Sequence, residues 1–242
     1  MSLAILFPGQ GSQHIGMGLS LATDYPEATR VFEEADEILG FRISKLAWEG
    51  PEDELILTKN AQPAMLVHSV AIYRVIRDRI GEVAMASGHS LGEFSAHVAA
   101  GTLDFGQALR TVRLRGELMY SAGVSRPGTM AAIIGMTDKE VESVCLRANH
   151  EMGTCVPANF NSEGQVVISG DVMGVEYAME LAEKMGARRV VRLSVSGAFH
   201  SPLMMPAEEG LHSWLKEVHF CDPEFPVIAN ATAEPVSTAD AA

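Results

Sequence analysis

The sequence predicts an α/β protein with two lobes, the larger containing a mostly parallel sheet and the smaller inserted into it. Short apolar runs alternate with helical segments through the first half of the chain, which favours a parallel sheet covered by helices. Residues 126–194 then follow the order βαββαβ, which is typical of a small ferredoxin-like lobe. The pattern returns to helix and strand from Pro202 onward. We therefore predict a larger lobe of residues 1–125 and 195–242, and a smaller lobe of residues 126–194.

The larger lobe is predicted to begin with a buried strand at Leu3–Phe7, which Pro8 and Gly9 terminate. The glycines of the following loop are spaced for neither a dinucleotide fingerprint nor a phosphate-binding loop. The remaining elements predicted for this lobe are helix Pro26–Leu39, helix Pro63–Ile80, strand Ala84–Ser87, helices Glu93–Ala100 and Phe105–Ser121, helix Glu208–Val218 and strand Pro226–Asn230. The tail Ala233–Ala242 is small and polar, and we expect it to fray.

The smaller lobe is predicted from apolar runs separated by two helical segments. Thr137 precedes the first helical segment and is predicted to cap it, and Gly186 ends the second. The predicted elements are strand Met130–Ile134, helix Asp138–Asn149, strands Val156–Phe160 and Val166–Ser169, helix Val172–Met185 and strand Arg189–Leu193.

Composition excludes several classes of protein. The 242 residues are 47% hydrophobic and 20% charged, which rules out a disordered or fibrous chain. A formal net charge of −13 argues against nucleic acid and anionic membranes as partners, because both favour basic surfaces. The three cysteines are too scattered for a disulfide framework or a metal site, so we expect no metal. No apolar run is long enough to span a membrane and no signal peptide is recognisable, so we expect a cytoplasmic protein.

A candidate nucleophile lies in the segment Gly88-His89-Ser90-Leu91-Gly92, between a predicted strand and a predicted helix. A sharp turn from strand to helix exposes the serine hydroxyl, and the helix N-terminus supplies backbone N–H groups where an oxyanion would form. Ser90 is therefore the candidate nucleophile. A serine needs a base near neutral pH. Of the eight histidines, His200 is the candidate base, because it lies in a small-residue loop just after the smaller lobe.

These segments resemble the malonyl-CoA:acyl-carrier-protein transacylases, the free-standing bacterial acyltransferases of fatty acid and polyketide synthesis. The resemblance runs through nearly the whole chain, with several motifs in the same order and spacing. The matching segments are Phe7-Pro8-Gly9-Gln10-Gly11-Ser12-Gln13, Gln62-Pro63-Ala64, Gly88-His89-Ser90-Leu91-Gly92-Glu93-Phe94-Ser95, Arg113-Leu114-Arg115-Gly116, Asn159-Phe160-Asn161-Ser162 and Gly197-Ala198-Phe199-His200-Ser201. The resemblance implies an α/β-hydrolase-like larger lobe with a ferredoxin-like smaller lobe.

The resemblance also implies a role for each matching residue. Ser90 would be the acylated nucleophile, and His200 its base and later the acid that protonates the departing thiol. The backbone N–H groups of Leu91 and Gln10 would form the oxyanion hole. Arg115 would bind the free carboxylate of malonate through two charge-assisted hydrogen bonds.

Four further residues are expected to contact the substrate. Phe199 matches the position that sets acyl size in the family, and its bulky ring would favour malonyl over methylmalonyl. Met119 lies one helical turn past Arg115 and would line the same pocket. Gln62 and Asn161 belong to matching motifs and complete the set of substrate-binding candidates.

The implied reaction is a ping-pong transfer from malonyl-CoA to the phosphopantetheine thiol of an acyl carrier protein, with no bound cofactor. Carrier proteins of this kind are acidic, so an acidic enzyme needs a local basic patch to receive one. The candidates are Lys184, Arg188, Arg189 and Arg192, or alternatively Arg74, Arg77 and Arg79.

Members of the family continue beyond the point that matches Ala242. In the family this later part supplies a glutamine whose backbone carbonyl orients the catalytic histidine, so we expect the larger lobe to be truncated at its C-terminal end. Two alternative functions remain. One is a serine thioesterase or hydrolase that uses Ser90 and His200, and the other is an inactive truncated form that binds a carrier protein.

Overall fold

A computed structural model describes residues 2–242, and the chain divides into two compact units. The first unit comprises Met1–Glu117 together with Ser213–Ala242, and the second comprises Leu118–His212. Each unit has its own four-stranded sheet covered by helices, which confirms the predicted α/β class. The limits of 126–194 for the smaller lobe stay a prediction.

The first unit begins with strand β1, and its last strand is the short antiparallel β8. Its elements are β1 (Leu3–Phe7), α1 (Leu19–Asp24), α2 (Pro26–Leu39), α3 (Ile43–Glu49), α4 (Glu52–Leu55), α5 (Thr58–Ile76), β2 (Val83–Gly88), α6 (Gly92–Ala99), most of α7 (Phe105–Ser125), the end of α10 (Met205–Leu215), β7 (Val227–Ile228), β8 (Pro235–Val236) and a 3-10 turn, Ala239–Ala241.

The sheet of the first unit has the order β1-β2-β7-β8. Strands β1, β2 and β7 run parallel, so that Ile5 pairs with Ala86 and Ala86 with Val227. Strand β8 runs antiparallel to β7 and pairs Val236 with Val227. The expectation that the tail frays is therefore wrong at this strand. Val236 is 8% exposed, and its burial together with the pairing orders a segment whose composition looks like a loose end.

Helix α5 begins at Thr58, five residues before the predicted start at Pro63, and ends at Ile76. Proline inside a helix lacks the N–H that would bond the carbonyl four residues earlier, here Lys59. The guanidinium of Arg113 donates to the Lys59 carbonyl at 2.8 Å instead. The helix therefore tolerates Pro63 because a distant side chain satisfies the freed backbone acceptor. Arg113, which would otherwise read as a surface charge, has this structural function.

The second unit contains an antiparallel sheet of order β4-β5-β3-β6, which is the ferredoxin-like arrangement expected for βαββαβ. Apolar side chains of β3, β5 and both helices form one core, among them Ile133, Val144, Ile168 and Val175. The predicted cap at Thr137 is confirmed by a complete capping box with Glu140. The elements are β3 (Gly128–Ile134), α8 (Asp138–Glu151), β4 (Cys155–Ser162), β5 (Gln165–Asp171), α9 (Val172–Lys184), β6 (Arg189–Arg192), a 3-10 turn at Pro202–Met204 and the start of α10.

His97 is the one histidine of helix α6 and is buried. It is 7% exposed, and its Nδ1 has no hydrogen-bond partner among residues 2–242. Burial disfavours the imidazolium and lowers the pKa of His97 to about 4. The unfolded chain therefore binds a proton at this residue at higher pH than the folded chain does.

We predict that the free energy of unfolding falls as the pH drops from about 6.5 to about 4, because the unfolded state takes up the proton first. His97 contributes a loss on the order of 3 kcal/mol across this window. His97→Leu should flatten the pH dependence measured by urea unfolding. The exposed His150 provides the control, because His150→Leu should leave the slope as in the parent. An equal slope in the parent and His97→Leu would contradict the assignment.

Candidate active site

Three parallel neighbouring strands carry the polar residues of the site at their carboxyl ends. Gln10 follows β1, Ser90 follows β2, and Asn230 follows β7. Carboxyl ends of adjacent parallel strands meet at one edge of a sheet, where α/β proteins bind their ligands. The topology therefore brings together residues from three distant parts of the sequence.

Ser90 lies on a strained turn between β2 and α6. Its φ of 51° is left-handed, a conformation that non-glycine residues adopt at an energetic cost. The turn is possible only because two glycine backbones touch. A Cβ at Gly88 would lie 1.9 Å from the carbonyl carbon of Gly92, and one at Gly92 would lie 2.3 Å from the Phe7 carbonyl oxygen. This is the strand-turn-helix geometry expected for an exposed serine nucleophile.

Arg115 is the charged group beside Ser90. Its guanidinium donates to the Ser90 Oγ at 3.0 Å and to the side-chain oxygen of Gln62. Desolvation lowers the pKa of Arg115 to about 10, and the opposite charge of Glu93 partly offsets this effect. A desolvated guanidinium without a directly bound carboxylate favours an anionic ligand at this point.

A directed chain of hydrogen bonds connects Arg115 to the loop after β1. Gln62 accepts from Arg115 and donates from its amide to the Thr58 hydroxyl at 2.8 Å. Thr58 in turn donates to the side-chain oxygen of Gln10 at 2.9 Å. Thr58 and Gln62 are both 0% exposed, so each bond lies in a desolvated interior, where breaking it is costly. Sequence reasoning did not find Thr58, because a threonine at a helix start resembles an ordinary capping residue.

Asn230 and Glu93 complete the surroundings of the turn. The Asn230 side chain contacts the backbone of both Gly88 and Ser90, and its backbone N–H donates to the Glu93 carboxylate at 3.2 Å. Burial raises the pKa of Glu93, whereas this hydrogen bond and the charge of Arg115 lower it. Asn230 was predicted only as the last residue of a strand. The carboxyl end of a parallel strand beside the candidate nucleophile was the signal that could have found it.

The backbone N–H groups of Leu91 and Gln10 are the two predicted oxyanion donors. Leu91 stands at the N-terminus of α6, and Gln10 lies in the loop after β1. Among residues 2–242 the structure shows no hydrogen bond from the backbone N–H of either residue. Unused backbone donors at a helix start are suited to stabilise a developing negative charge.

The other predicted site residues lie in the second unit. His200 has a φ of 57°, so the candidate base, like Ser90, has a left-handed backbone. Phe199 and Met119 belong to one buried apolar cluster of that unit, and Asn161 is exposed on β4. The first unit thus collects Gln10, Gln62, Ser90, Leu91 and Arg115, and the second carries His200, Phe199, Met119 and Asn161.

No group of three His, Cys, Asp or Glu side chains within residues 2–242 is placed to hold a metal ion. No helix in the same range combines the length and the apolar character that crossing a membrane requires.

Comparison with known proteins assigns the chain to a family. The acyl transferase domain matches residues 5–241. The chain belongs to the acyl transferase domain family. Among its relatives are the malonyl CoA-acyl carrier protein transacylases of Bacillus subtilis (strain 168), 47% identical over 96% of this chain and 73% of the relative, and of Escherichia coli (strain K12), 43% identical over 98% and 77%.

Solved structures similar to this acyl transferase domain include an acyl-carrier-protein-S-malonyltransferase from Bartonella henselae. It superposes with a TM-score of 0.93 at 44% identity and covers 99% of this chain and 77% of its own. A malonyl-transacylase in complex with its type II acyl carrier protein superposes with a TM-score of 0.94 at 42% identity, covering 100% and 78%. The domain is thus similar throughout its length to malonyl transacylases.

We predict that Thr58→Val breaks the hydrogen-bond chain of the acyl transferase domain while keeping the side-chain shape. The loss of a buried hydroxyl should lower the free energy of unfolding by about 1–3 kcal/mol, as measured in urea. It should also slow labelling of Ser90 by a fluorophosphonate roughly tenfold, because Arg115 and the Gln10 loop lose their common support.

Thr111→Val is the matched control for this change. Thr111 is also fully buried in a helix, and its hydroxyl also donates one hydrogen bond and accepts another, with Gln107 and Trp214. Its loss should cost similar stability but leave the labelling rate of Ser90 as in the parent. Equal labelling rates in both variants would refute a specific role of Thr58.

Proposed function

We propose that this chain is an acyltransferase that moves the malonyl group of malonyl-CoA onto the phosphopantetheine thiol of an acyl carrier protein. The transfer supplies extender units for fatty acid or polyketide synthesis. The observation that carries the proposal is the 3.0 Å contact of a desolvated arginine with the serine of a strained strand-to-helix turn. The names of its relatives, at up to 47% identity, support the same activity.

The reaction proceeds in two acyl transfers through a serine ester. The Ser90 oxygen attacks the thioester carbonyl, His200 accepts the serine proton, and the oxyanion is stabilised by the N–H groups of Leu91 and Gln10. Collapse of the intermediate expels the coenzyme A thiol, which receives the proton from His200. The carrier-protein thiol then attacks the ester by the same steps, and Ser90 recovers its proton.

Arg115 gives this proposal its substrate specificity. Its guanidinium contacts the Ser90 hydroxyl and Gln62, and both hydrogen bonds are to neutral groups. A malonyl carboxylate would replace a neutral partner by a charged one, which strengthens the hydrogen bonds. An acetyl group leaves the desolvated guanidinium without such a partner, so the site disfavours it.

In this proposal, residues of the second unit limit the size of the acyl group that the enzyme accepts. Phe199, buried with Met119 in one apolar cluster, limits the space for an α-methyl branch, and Asn161 and Gln62 supply polar contacts.

Residues 126–194 are taken as the smaller lobe. We place the activity in the cytoplasm, a reducing compartment in which the thiols of Cys145 and Cys155, hydrogen-bonded at 3.8 Å, would stay free.

Arg115→Ala should lower malonyl transfer roughly 10- to 100-fold and raise the ratio of acetyl to malonyl transfer, because only malonyl uses the guanidinium. Transfer to carrier protein from each coenzyme A thioester measures both rates. Arg110→Ala, at an exposed position of the same helix, should change neither rate. Equal losses for malonyl and acetyl would contradict the carboxylate role.

Intact mass spectrometry tests the proposed reaction itself. After incubation with malonyl-CoA the parent should carry one malonyl group, and Ser90→Ala should carry none. Release of coenzyme A without an adduct would instead indicate a thioesterase. Absence of labelling with retained binding of carrier protein would indicate a non-catalytic binding form.

Ion pairs reduce the set of basic residues that could form the patch proposed to contact the carrier protein. Lys184 pairs with Glu180 at 3.5 Å and Arg192 with Glu176 at 2.7 Å, whereas Arg188 has an exposed side chain. Arg189 is also exposed, and no ion pair of either arginine is seen within residues 2–242.

In the alternative cluster, Arg74 pairs with Glu34 at 3.0 Å, Arg77 pairs with Asp78 at 3.7 Å and Arg79 stacks on Tyr25. The uncompensated charge therefore favours Arg188 and Arg189 as the contact for an acidic partner.

Charge reversal at both positions, Arg188→Glu with Arg189→Glu, should raise the KM for acyl carrier protein several-fold at low salt. The rate of Ser90 acylation by malonyl-CoA should stay as in the parent. The same reversal at Arg77 and Arg79 serves as the control. An unchanged KM for carrier protein in the first variant would exclude this contact.

A further inference from the structure

We infer that Asn230 is a positioning residue that holds the Ser90 turn in its reactive conformation. The inference rests on the proposed role of Ser90 as nucleophile. The sequence resemblance assigned Asn230 no role. What identifies it is the pair of backbone groups that its side chain joins.

The Asn230 amide spans the strained turn with two short hydrogen bonds. Its Nδ2 donates to the Gly88 carbonyl at 2.6 Å, and its Oδ1 accepts from the Ser90 N–H at 2.7 Å. The side chain therefore uses both its donor and its acceptor. They bind Gly88 and Ser90, two residues apart, whose backbone determines how the turn bends. A side chain lacking either function would leave one backbone group of the turn unpaired.

The strain at Ser90 explains why such a clamp is needed. A non-glycine residue with a left-handed φ is energetically unfavourable and persists only where its surroundings impose it. The Ser90 N–H lies before the first turn of α6 and has no helical acceptor. Asn230 supplies that acceptor, so that the left-handed turn keeps its backbone hydrogen bonds.

The same contact determines which amides face the oxyanion. The Ser90 N–H is bound to Asn230, whereas the next amide, that of Leu91, is not hydrogen-bonded within the described residues. Asn230 thereby occupies the Ser90 N–H and leaves the Leu91 N–H to bind the ligand. Because oxyanion stabilisation depends on donors that are already oriented, rotation of this peptide would weaken it.

Asn230 is itself held by its neighbours. It follows β7, whose Ile228 pairs with Ser87 of β2, and its backbone N–H donates to Glu93 at 3.2 Å. The backbone of the preceding residue, Ala229, bonds Glu234 at 3.0 Å and Ala233 at 2.9 Å. The amide is therefore presented by paired backbone on a rigid sheet edge, which is what a positioning residue requires.

Single-turnover acylation of Asn230→Ala by malonyl-CoA tests the inference. The saturating rate of acylation should fall roughly 10- to 100-fold, as a displaced reacting group commonly causes. The malonyl-CoA concentration that gives half of this rate should remain within about twofold of the parent value, since Arg115 and Gln62 are untouched. Asn230→Asp keeps the shape and the acceptor but loses the donor to Gly88. It should also be slow, and it carries the test if the alanine variant does not fold.

Asn149→Ala is the matched control. Asn149 also uses its amide for two backbone hydrogen bonds, both to Cys155 in the second unit, at 2.7 and 2.8 Å. Its loss should lower the melting temperature comparably without slowing acylation at a temperature where all variants are folded. Acylation of the Asn230 variants at the parent rate, or equal slowing in Asn149→Ala, would overturn the inference.

A fluorophosphonate separates this inference from the proposed malonyl transfer, because it reacts with an activated serine and has no carboxylate. If the parent is labelled at Ser90 but takes no malonyl group, the proposed function fails, and slower labelling of Asn230→Ala still supports the clamp. If Asn230→Ala and Asn230→Asp are both labelled at the parent rate while malonyl transfer proceeds in the parent, the inference about Asn230 fails and the proposed function stands.

Discussion

The close contact of two backbones at the Ser90 turn is the constraint on which the site depends. A Cβ at Gly88 would collide with the Gly92 backbone and a Cβ at Gly92 with the Phe7 carbonyl, so both positions require glycine, and Ser90 between them has a left-handed φ of 51°. Such a turn is stable only if its polar backbone groups are satisfied from outside. The loop after β1 and the end of β7 flank it, and their positions follow from the parallel order β1-β2-β7.

A desolvated cation is the second organising element. Arg115 is held by Gln62, which is held by Thr58, which contacts Gln10. The chain links the group proposed to read the substrate carboxylate with the loop proposed to stabilise the oxyanion. Its inner members are buried and mutually satisfied, so the arrangement is expected to be rigid before a substrate arrives.

Local patterns predicted the elements of the second unit well, because each strand and helix there has its own apolar period, and helix α8 also has its cap at Thr137. They failed where tertiary packing decided the outcome. Helix α5 runs through Pro63 because Arg113, 54 positions from Lys59, satisfies the Lys59 carbonyl. The tail forms β8 because it pairs with β7 and buries Val236, which its small and polar composition does not indicate.

The sequence by itself determined the strand-to-helix turn at Ser90, since Gly88, Ser90 and Gly92 lie between an apolar run and a helical period, and its motifs indicated the family. It also singled out Arg115, although only through the motif in which it lies. Tertiary structure alone decided that Asn230 and Thr58 support the site. Both act through hydrogen bonds to residues 48 to 142 positions away, and such bonds exist only after the sheet and helix α5 have assembled.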